Sequence, residues 1–384
     1  MTKIDPYKSK QAYLNWKSRV KEGIPNITKE SSEIIKQYLE DMEIGRNVAI
    51  SNKKGSRSFI RLNTLRLKIV FLVRQFESRY NLEYITKIKE EQILNFFTDM
   101  RNGLIKKRNG ENYKAVRDYA KMFKAFWHWH QRSSRKKGVL IEDITVDLDT
   151  SGEKPKWVYL TEGQVMSLAN NANNKYKTLI LFLLDTGIRS PTELVNVKVE
   201  DLSENYKTLH IKISKTFDRK INLMICSNHL KRYIEDNQLK KEDHLFPICP
   251  SVTNRHLKRM AKDLFGEEKT EGGKKYSELT MYDLRHISCC YWLLRYKSEA
   301  EIMYRFGWRK SDKVHYYSEF KGMKDTISED DMLIDVTKTE IERKLEKSET
   351  EKMLLEARMS RLEEDFAKVT ELTNNIFEQM NKIQ

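Results

Sequence analysis

Apolar residues recur every three or four positions through most of residues 1–145, which predicts a helical N-terminal domain. From Asn63 to Tyr80, Leu65, Ile69, Leu72, Val73 and Phe76 share one helical face. Glu90 to Lys107 reads as a second helix and Glu111 to Ser133 as a third, with Tyr113, Val116, Tyr119, Ala120, Phe123, Trp127 and His130 on or near one side. The other side of that third helix offers Lys114, Arg117, Lys121 and Lys124, a row of cations suited to phosphates, although a plain solvated face has the same pattern. His128 and His130 stand two apart and do not share a face, so they do not read as a metal pair. Between Leu140 and Trp157 the period is lost and Gly and Pro gather, which marks residues 146–156 as a linker.

Past the linker, Thr161 followed by Gln164 reads as a helix start, and the helix Lys175–Asp185 ends at Gly187. Residues Thr208–Ser214 (TLHIKIS) alternate and Ile221–Ile225 (INLMI) form another apolar run, which together predict a β-hairpin. The rest, to about Phe320, is helical in pattern. This outlines an α+β domain over 157–329 with a small antiparallel sheet. Over 330–384, Ile341, Ser348, Leu355, Leu362, Val369 and Ile376 recur every seven residues, and Leu345, Lys352, Met359, Phe366, Thr373 and Met380 follow four later. That spacing predicts a coiled-coil tail, with one long amphipathic helix as the alternative. The chain is therefore multidomain and mainly α.

Charge adds a partner to this outline. The 384 residues carry 71 Lys+Arg against 56 Asp+Glu, and residues 330–384 hold 9 and 14 of these, which leaves 62 against 42 in the part before them. Such a basic body suits a polyanion. Cys226, Cys249, Cys289 and Cys290 have no paired spacing, so neither a zinc site nor a disulfide framework is expected. The N-terminal segment lacks the apolar stretch of a signal peptide, and no apolar run approaches the roughly 20 residues of a membrane span. A cytoplasmic, nucleoid-associated protein is expected.

Four segments carry the candidate chemistry: Thr186-Gly187-Ile188-Arg189; Lys215 in Ile213-Ser214-Lys215-Thr216; Tyr282-Asp283-Leu284-Arg285-His286; and Gly307-Trp308 with Tyr316-Tyr317-Ser318. Arginine is permanently charged and binds two phosphate oxygens from one planar fork, which suits Arg189 and Arg285, each at a predicted helix edge where backbone N–H groups add to the anion site. For either arginine alone a surface salt bridge is the alternative. A lysine on a hairpin loop reaches into a groove as a general acid, and Lys212, Arg219 and Lys220 compete with Lys215 on spacing. Tyrosine forms a stable phosphate ester, its phenol pKa of about 10 offset by neighbouring arginines.

In order and separation the four segments resemble the tyrosine recombinase (phage integrase) family, in its archaeal style. Thr186-Gly187-Ile188-Arg189 resembles the TGxR box, Ser214-Lys215-Thr216 with Arg219 and Ile221 the β-hairpin lysine segment, and residues 282–286 the H-D-L-R-H box. Gly307-Trp308 resembles the G-[HW] box, and from it to Tyr317 is nine residues, the usual distance to the nucleophile. The resemblance covers about residues 155–325, and 1–145 resembles the DNA-clamping domain ahead of it. It implies a site-specific recombinase or integrase of a mobile element, closing on double-stranded DNA and assembling as a homo-oligomer, a tetramer in synapsis. Tyr317 would attack to give a 3′-phosphotyrosyl link, Arg189 and Arg285 would hold the non-bridging oxygens, Lys215 would protonate the leaving oxygen and Trp308 would pack and donate to the phosphate. No metal, ATP or other cofactor is implied. Tyr282 stands where the family has a histidine thought to be the general base, and His286, one position after Arg285, is read as pointing elsewhere. Glu193 lies one residue later than the family's acidic position and is read as a structural carboxylate, while Tyr316 is the alternative nucleophile. A DNA-relaxing type IB topoisomerase and an inactive DNA-binding protein are the other readings.

Overall fold

The computed structural model describes residues 3–49, 54–152, 154–296, 298–322 and 340–381. Met1–Tyr317 packs as one compact unit and Ser318–Gln384 as a second. The first unit begins with α1 (Ser9–Arg19), α2 (Lys29–Ile44), α3 (Phe59–Tyr80), α4 (Glu90–Arg101) and α5 (Val116–Arg135). The α3 stripe Leu65, Ile69, Leu72, Val73 and Phe76 is buried, and the Phe76 ring meets Phe96 and Phe97 of α4 and Phe123 of α5. Burying each such side chain contributes roughly 1.5–3 kcal/mol, which is what makes these amphipathic segments helices. Trp129 of α5 is buried too, its indole donating to Asp41 of α2 at 2.9 Å.

The helix ends differ from the pattern for local reasons. Ser58 caps α3 by accepting from the Arg61 N–H, so the helix starts at Phe59 rather than Asn63. The predicted 90–107 helix stops at Arg101, because Gly103 turns with φ +75° and the N–H groups of Leu104 and Ile105 both return to the Asp99 carbonyl. The third helix begins at Val116, which leaves Lys114 ahead of it.

The unit continues with α6 (Glu162–Asn170), α7 (Asn174–Thr186), β1 (Leu202–Ser203), β2 (Thr208–Ile211), β3 (Arg219–Asn222), α8 (Ser227–Asp236), α9 (Pro250–Phe265), α10 (Met281–Leu293), α11 (Glu299–Phe306) and, up to Tyr317, α12 (Asp312–Phe320). Thr161 and Gln164 form a reciprocal capping box on α6. All of α7 from Thr178 to Thr186 is buried, so it is the central element, and α10 packs on it. The sheet is antiparallel in the order β1-β2-β3, with Leu209 opposite Ile221. It has one strand more than the predicted hairpin. Its last strand ends at Asn222, because the N–H groups of Ile225 and Cys226 turn to the Asp185 carboxylate at 2.7 and 3.0 Å instead of a ladder. The same carboxylate pairs at 2.8 Å with Arg305, whose guanidinium lies 3.8 Å from the Trp292 ring centre, and this fixes the end of α7 to α11.

The second unit contains α13 (Glu340–Asn381), a 42-residue helix on which Leu345, Leu355, Met359, Leu362, Phe366 and Val369 are exposed. The expected start of the tail at residue 330 lies outside the described residues. Among the described residues no helix is long and apolar enough to cross a membrane.

Candidate active site

Two helix C-termini build the centre of the site. α7 ends at Gly187 with φ +55°, a left-handed position where a Cβ would run into the Phe306 ring. α11 ends at Gly307 with φ +61°. Both ends leave carbonyls without helical partners, and two guanidiniums take them. Arg285, on the buried face of α10, donates to the Gly187 carbonyl and to the Phe306 carbonyl at 2.7 Å. Arg189 donates to the Gly307 carbonyl at 2.7 Å. The sequence predicts helix ends that supply N–H groups to the anion. These two ends are C-terminal, and their carbonyls hold the cations instead.

Glu193 completes the frame. Its carboxylate, 2% exposed, accepts from Arg189 Nη1 at 2.6 Å, Arg219 Nη2 at 3.0 Å and Ser214 Oγ at 2.8 Å. Burial pushes this carboxyl up, yet the Arg219 and Arg189 charges with their hydrogen bonds overcome it and hold the group at about 2. Arg285 is held down to about 10, first by burial and then by the Arg189 charge, and still carries its proton at neutral pH.

The β2–β3 loop brings in Lys215 between two anchored neighbours. Ser214 bonds to Glu193, and Thr216 Oγ1 donates to the Gly307 carbonyl at 2.8 Å, so the backbone of exposed Lys215 is held between two residues anchored in the site. Its competitors are differently engaged. Lys212 is paired with Asp201 at 2.6 Å, and Arg219 is buried on Glu193. Lys220 lies on β3, with its backbone N–H donating to the Tyr304 hydroxyl at 3.2 Å.

Trp308 joins Arg285 to the tyrosine. Its ring stacks on Phe306 at 5.0 Å, meets the Arg285 guanidinium at 5.7 Å and lies parallel to Tyr317 (5.9 Å, 7°). Tyr317 is 4% exposed, and its hydroxyl is hydrogen-bonded to His286 Nδ1. Burial first, with the Cys289 thiol second, pushes the Tyr317 phenol up. His286 stacks on Trp157 at 5.0 Å and is depressed to about 3 by burial, then by Arg285, Lys313 and Lys274. So His286 points at Tyr317, contrary to the expectation from its place after Arg285. Tyr282 is 51% exposed and meets His286 edge-on at 5.2 Å. The Tyr316 hydroxyl is tied to the linker, accepting from Trp157 Nε1 at 3.0 Å and donating to the Pro155 carbonyl at 3.1 Å.

The cations of the N-terminal helices divide. Lys121 and Lys124 line a groove of about 550 Å³ with Arg57, Arg61, His128 and Arg132. Lys124 also donates to the Thr145 carbonyl at 2.8 Å. Exposed Arg117 runs beside Gly152, and Lys114 precedes the helix. Periodicity gave no signal for Arg57 and Arg61, which lie before the first residue of the predicted helix. In the sequence, Trp157 marks only the end of the linker.

Comparison with known proteins bears on this arrangement. Residues 158–321 match the phage integrase family. No curated protein matches the chain. Among solved structures, a lambda integrase dimer bound to a COC′ core site is 15% identical and superposes with TM-score 0.54, covering 77% of this chain and 98% of that one. A lambda integrase tetramer bound to a Holliday junction is 14% identical, with TM-score 0.50 and coverage of 73% and 78%. The Tn1549 transposon integrase in complex with right-end DNA is 15% identical over 84% of this chain and 96% of that one, with TM-score 0.49. At such identities the lambda likeness speaks for the fold, a mainly helical two-domain arrangement with a small three-stranded antiparallel sheet. Over residues 158–321 the chain is thus similar to the phage integrase family, in the stretch that holds Arg189, Arg285, Trp308 and Tyr317.

Proposed function

We propose that this protein is a site-specific DNA recombinase whose nucleophile is Tyr317. The observation that carries the reading is Trp308, one indole in contact with both the Arg285 guanidinium and the Tyr317 ring. A phosphodiester bound by Arg189 and Arg285 then lies next to the buried Tyr317 phenol. Tyr317 attacks phosphorus, a 3′-phosphotyrosyl ester forms, and the 5′-oxygen leaves with a proton from Lys215. The two arginines meet the charge that develops on the non-bridging oxygens, where one lost contact typically costs about 10²–10³ in rate. The Trp308 indole N–H faces the phosphate. The ester conserves the bond energy, so a 5′-hydroxyl of a second strand reseals it without an external energy source. Tyr282, at the family's histidine position, forms the outer wall of the site.

Residues 1–145 clamp duplex DNA, with Lys121 and Lys124 together with Arg57, Arg61 and Arg132 along the backbone, and Lys114 and Arg117 beside them. Residues 146–156 link the clamp to the catalytic domain at 157–329. The tail at 330–384 pairs with copies of itself as a coiled coil and supports a tetramer on two duplexes. The enzyme is of the archaeal type, is encoded by a mobile element and works in the cytoplasm on the nucleoid. The test is a duplex nicked near the cleavage site, which traps the covalent adduct. The adduct is expected with wild type and with Tyr316→Phe, and is lost in Tyr317→Phe. An adduct that persists in Tyr317→Phe overturns the assignment.

A further inference from the structure

The family's histidine position is Tyr282 here, and a phenol near neutral pH is a poor proton acceptor. Tyr317 nevertheless has to lose its proton as it attacks. At 4% exposure its access to bulk water is small, and a neighbouring group is the nearer acceptor for that proton. We propose that His286 takes it: the imidazole Nδ1 is the general base for Tyr317, and Tyr282 serves only to hold the imidazole in place. This rests on Tyr317 being the nucleophile.

Three observations support the assignment. Nδ1 is the atom hydrogen-bonded to the Tyr317 hydroxyl, so with the ring proton on Nε2 the hydroxyl donates and Nδ1 accepts in transfer geometry. The ring is fixed on two sides, stacked on Trp157 (5.0 Å, 21°) and met edge-on by Tyr282 (5.2 Å, 78°), which leaves little freedom for Nδ1 to turn away. Finally, the ring is neutral in the free protein, with its lone pair available. The charged and titratable groups around it are Arg285 and Tyr282 on α10, Lys313 and Tyr317 on α12, and Lys274 ahead of α10. The cations disfavour an imidazolium. A bound phosphodiester brings negative charge to the same neighbourhood, offsets them and raises the basicity of His286 when the proton has to move.

The step balances. The Tyr317 O–H bond breaks and its oxygen bonds to phosphorus, while the proton goes to His286 Nδ1. The bond from phosphorus to the 5′-oxygen breaks, and that oxygen takes a proton from Lys215. Resealing runs the sequence backwards and returns the proton from His286 to Tyr317.

The experiment is single-turnover adduct formation by the full chain on the nicked duplex across pH, with His286→Asn. The Asn Oδ1 keeps an acceptor near the Nδ1 position but binds no proton. At neutral pH the rate is expected to fall by about 10²–10⁴, with DNA affinity retained and the logarithm of the rate rising in proportion to pH. A duplex with sulfur in place of the leaving 5′-oxygen needs no general acid, so it should restore Lys215→Ala and leave His286→Asn slow. A wild-type rate and profile in His286→Asn overturns the proposal. So does a proportional pH dependence that appears in Tyr282→Phe instead. A readout on the wild type stands apart from any folding defect: ring ¹⁵N shifts of His286 in the DNA complex should place its proton on Nε2, and a proton on Nδ1 overturns the proposal. An adduct that persists in Tyr317→Phe overturns the nucleophile assignment rather than the base alone.

Discussion

Glu193→Gln is the change that most directly probes the frame beneath the two arginines. The substitution keeps size and one acceptor but turns the other acceptor into a donor, facing guanidiniums that themselves only donate. The depression of this carboxyl from 4.5 to about 2 corresponds to about 3 kcal/mol. Removing one partner of a buried ion pair costs about 3–5 kcal/mol, a similar figure from an independent source. The two arguments describe different things, however. The Arg219 pKa is lowered, because burial penalises its charge more than Glu193 restores. The pair itself is therefore only modestly favourable, and most of the loss in Glu193→Gln comes from a stranded guanidinium. Replacing Arg219 by Met in the same chain should return part of the stability.

Urea unfolding at pH 7 should show the single variant about 3 kcal/mol less stable. The folded-state pKa is depressed, so the carboxylate contribution is present above about 4.5 and lost as the pH falls towards 2. The difference between wild type and variant should shrink across that window. A variant within about 0.5 kcal/mol of wild type at pH 7, a spread typical of surface changes, would refute the reasoning. Covalent adduct formation should drop too, since Arg189 loses its 2.6 Å partner.

Gly187→Ala should lower the melting temperature, since a left-handed alanine costs about 1–2 kcal/mol before the Phe306 ring is displaced; an unchanged melting temperature contradicts the packing described. Arg61→Ala and Lys121→Ala should each weaken DNA binding similarly on all sequences and reduce the salt slope by about 1, as read by titration at several salt concentrations. Loss on one sequence alone would mean base reading rather than phosphate contact. Removing residues 330–384 should lower the oligomer mass in light scattering and leave DNA binding largely intact, and an unchanged mass means that the tail is not an assembly coil.

The parts legible in the sequence were those fixed by one element at a time. The α3 stripe, the Thr161 cap and the Gly187 stop depend on neighbours within a few residues, and the structure has them where the pattern put them. The end of β3 was less legible, because Ile225 and Cys226 bond to a carboxylate forty residues earlier in the chain. Arg57 and Arg61 were missed for a similar reason. One precedes α3 and the other lies in its first turn, and they reach the α5 cations only once α3 packs on α5.

His286 shows where the helical wheel stops being informative. Neighbours on a helix point about 100° apart, so Arg285 and His286 cannot serve one point if everything is viewed from α10. This would hold for a site confined to a single face. Arg285 instead reaches the ends of α7 and α11, and His286 meets α12 and Trp157 from the linker side. Trp308 and Tyr317, stacked on each other, close the gap between the two directions. The site wraps around the first turns of α10, so consecutive residues contribute to it from different faces. The same geometry explains how a phenol at Tyr282 is tolerated: on the exposed side of His286 it has only to present a ring edge. A tyrosine at that position therefore does not by itself argue for an inactive protein.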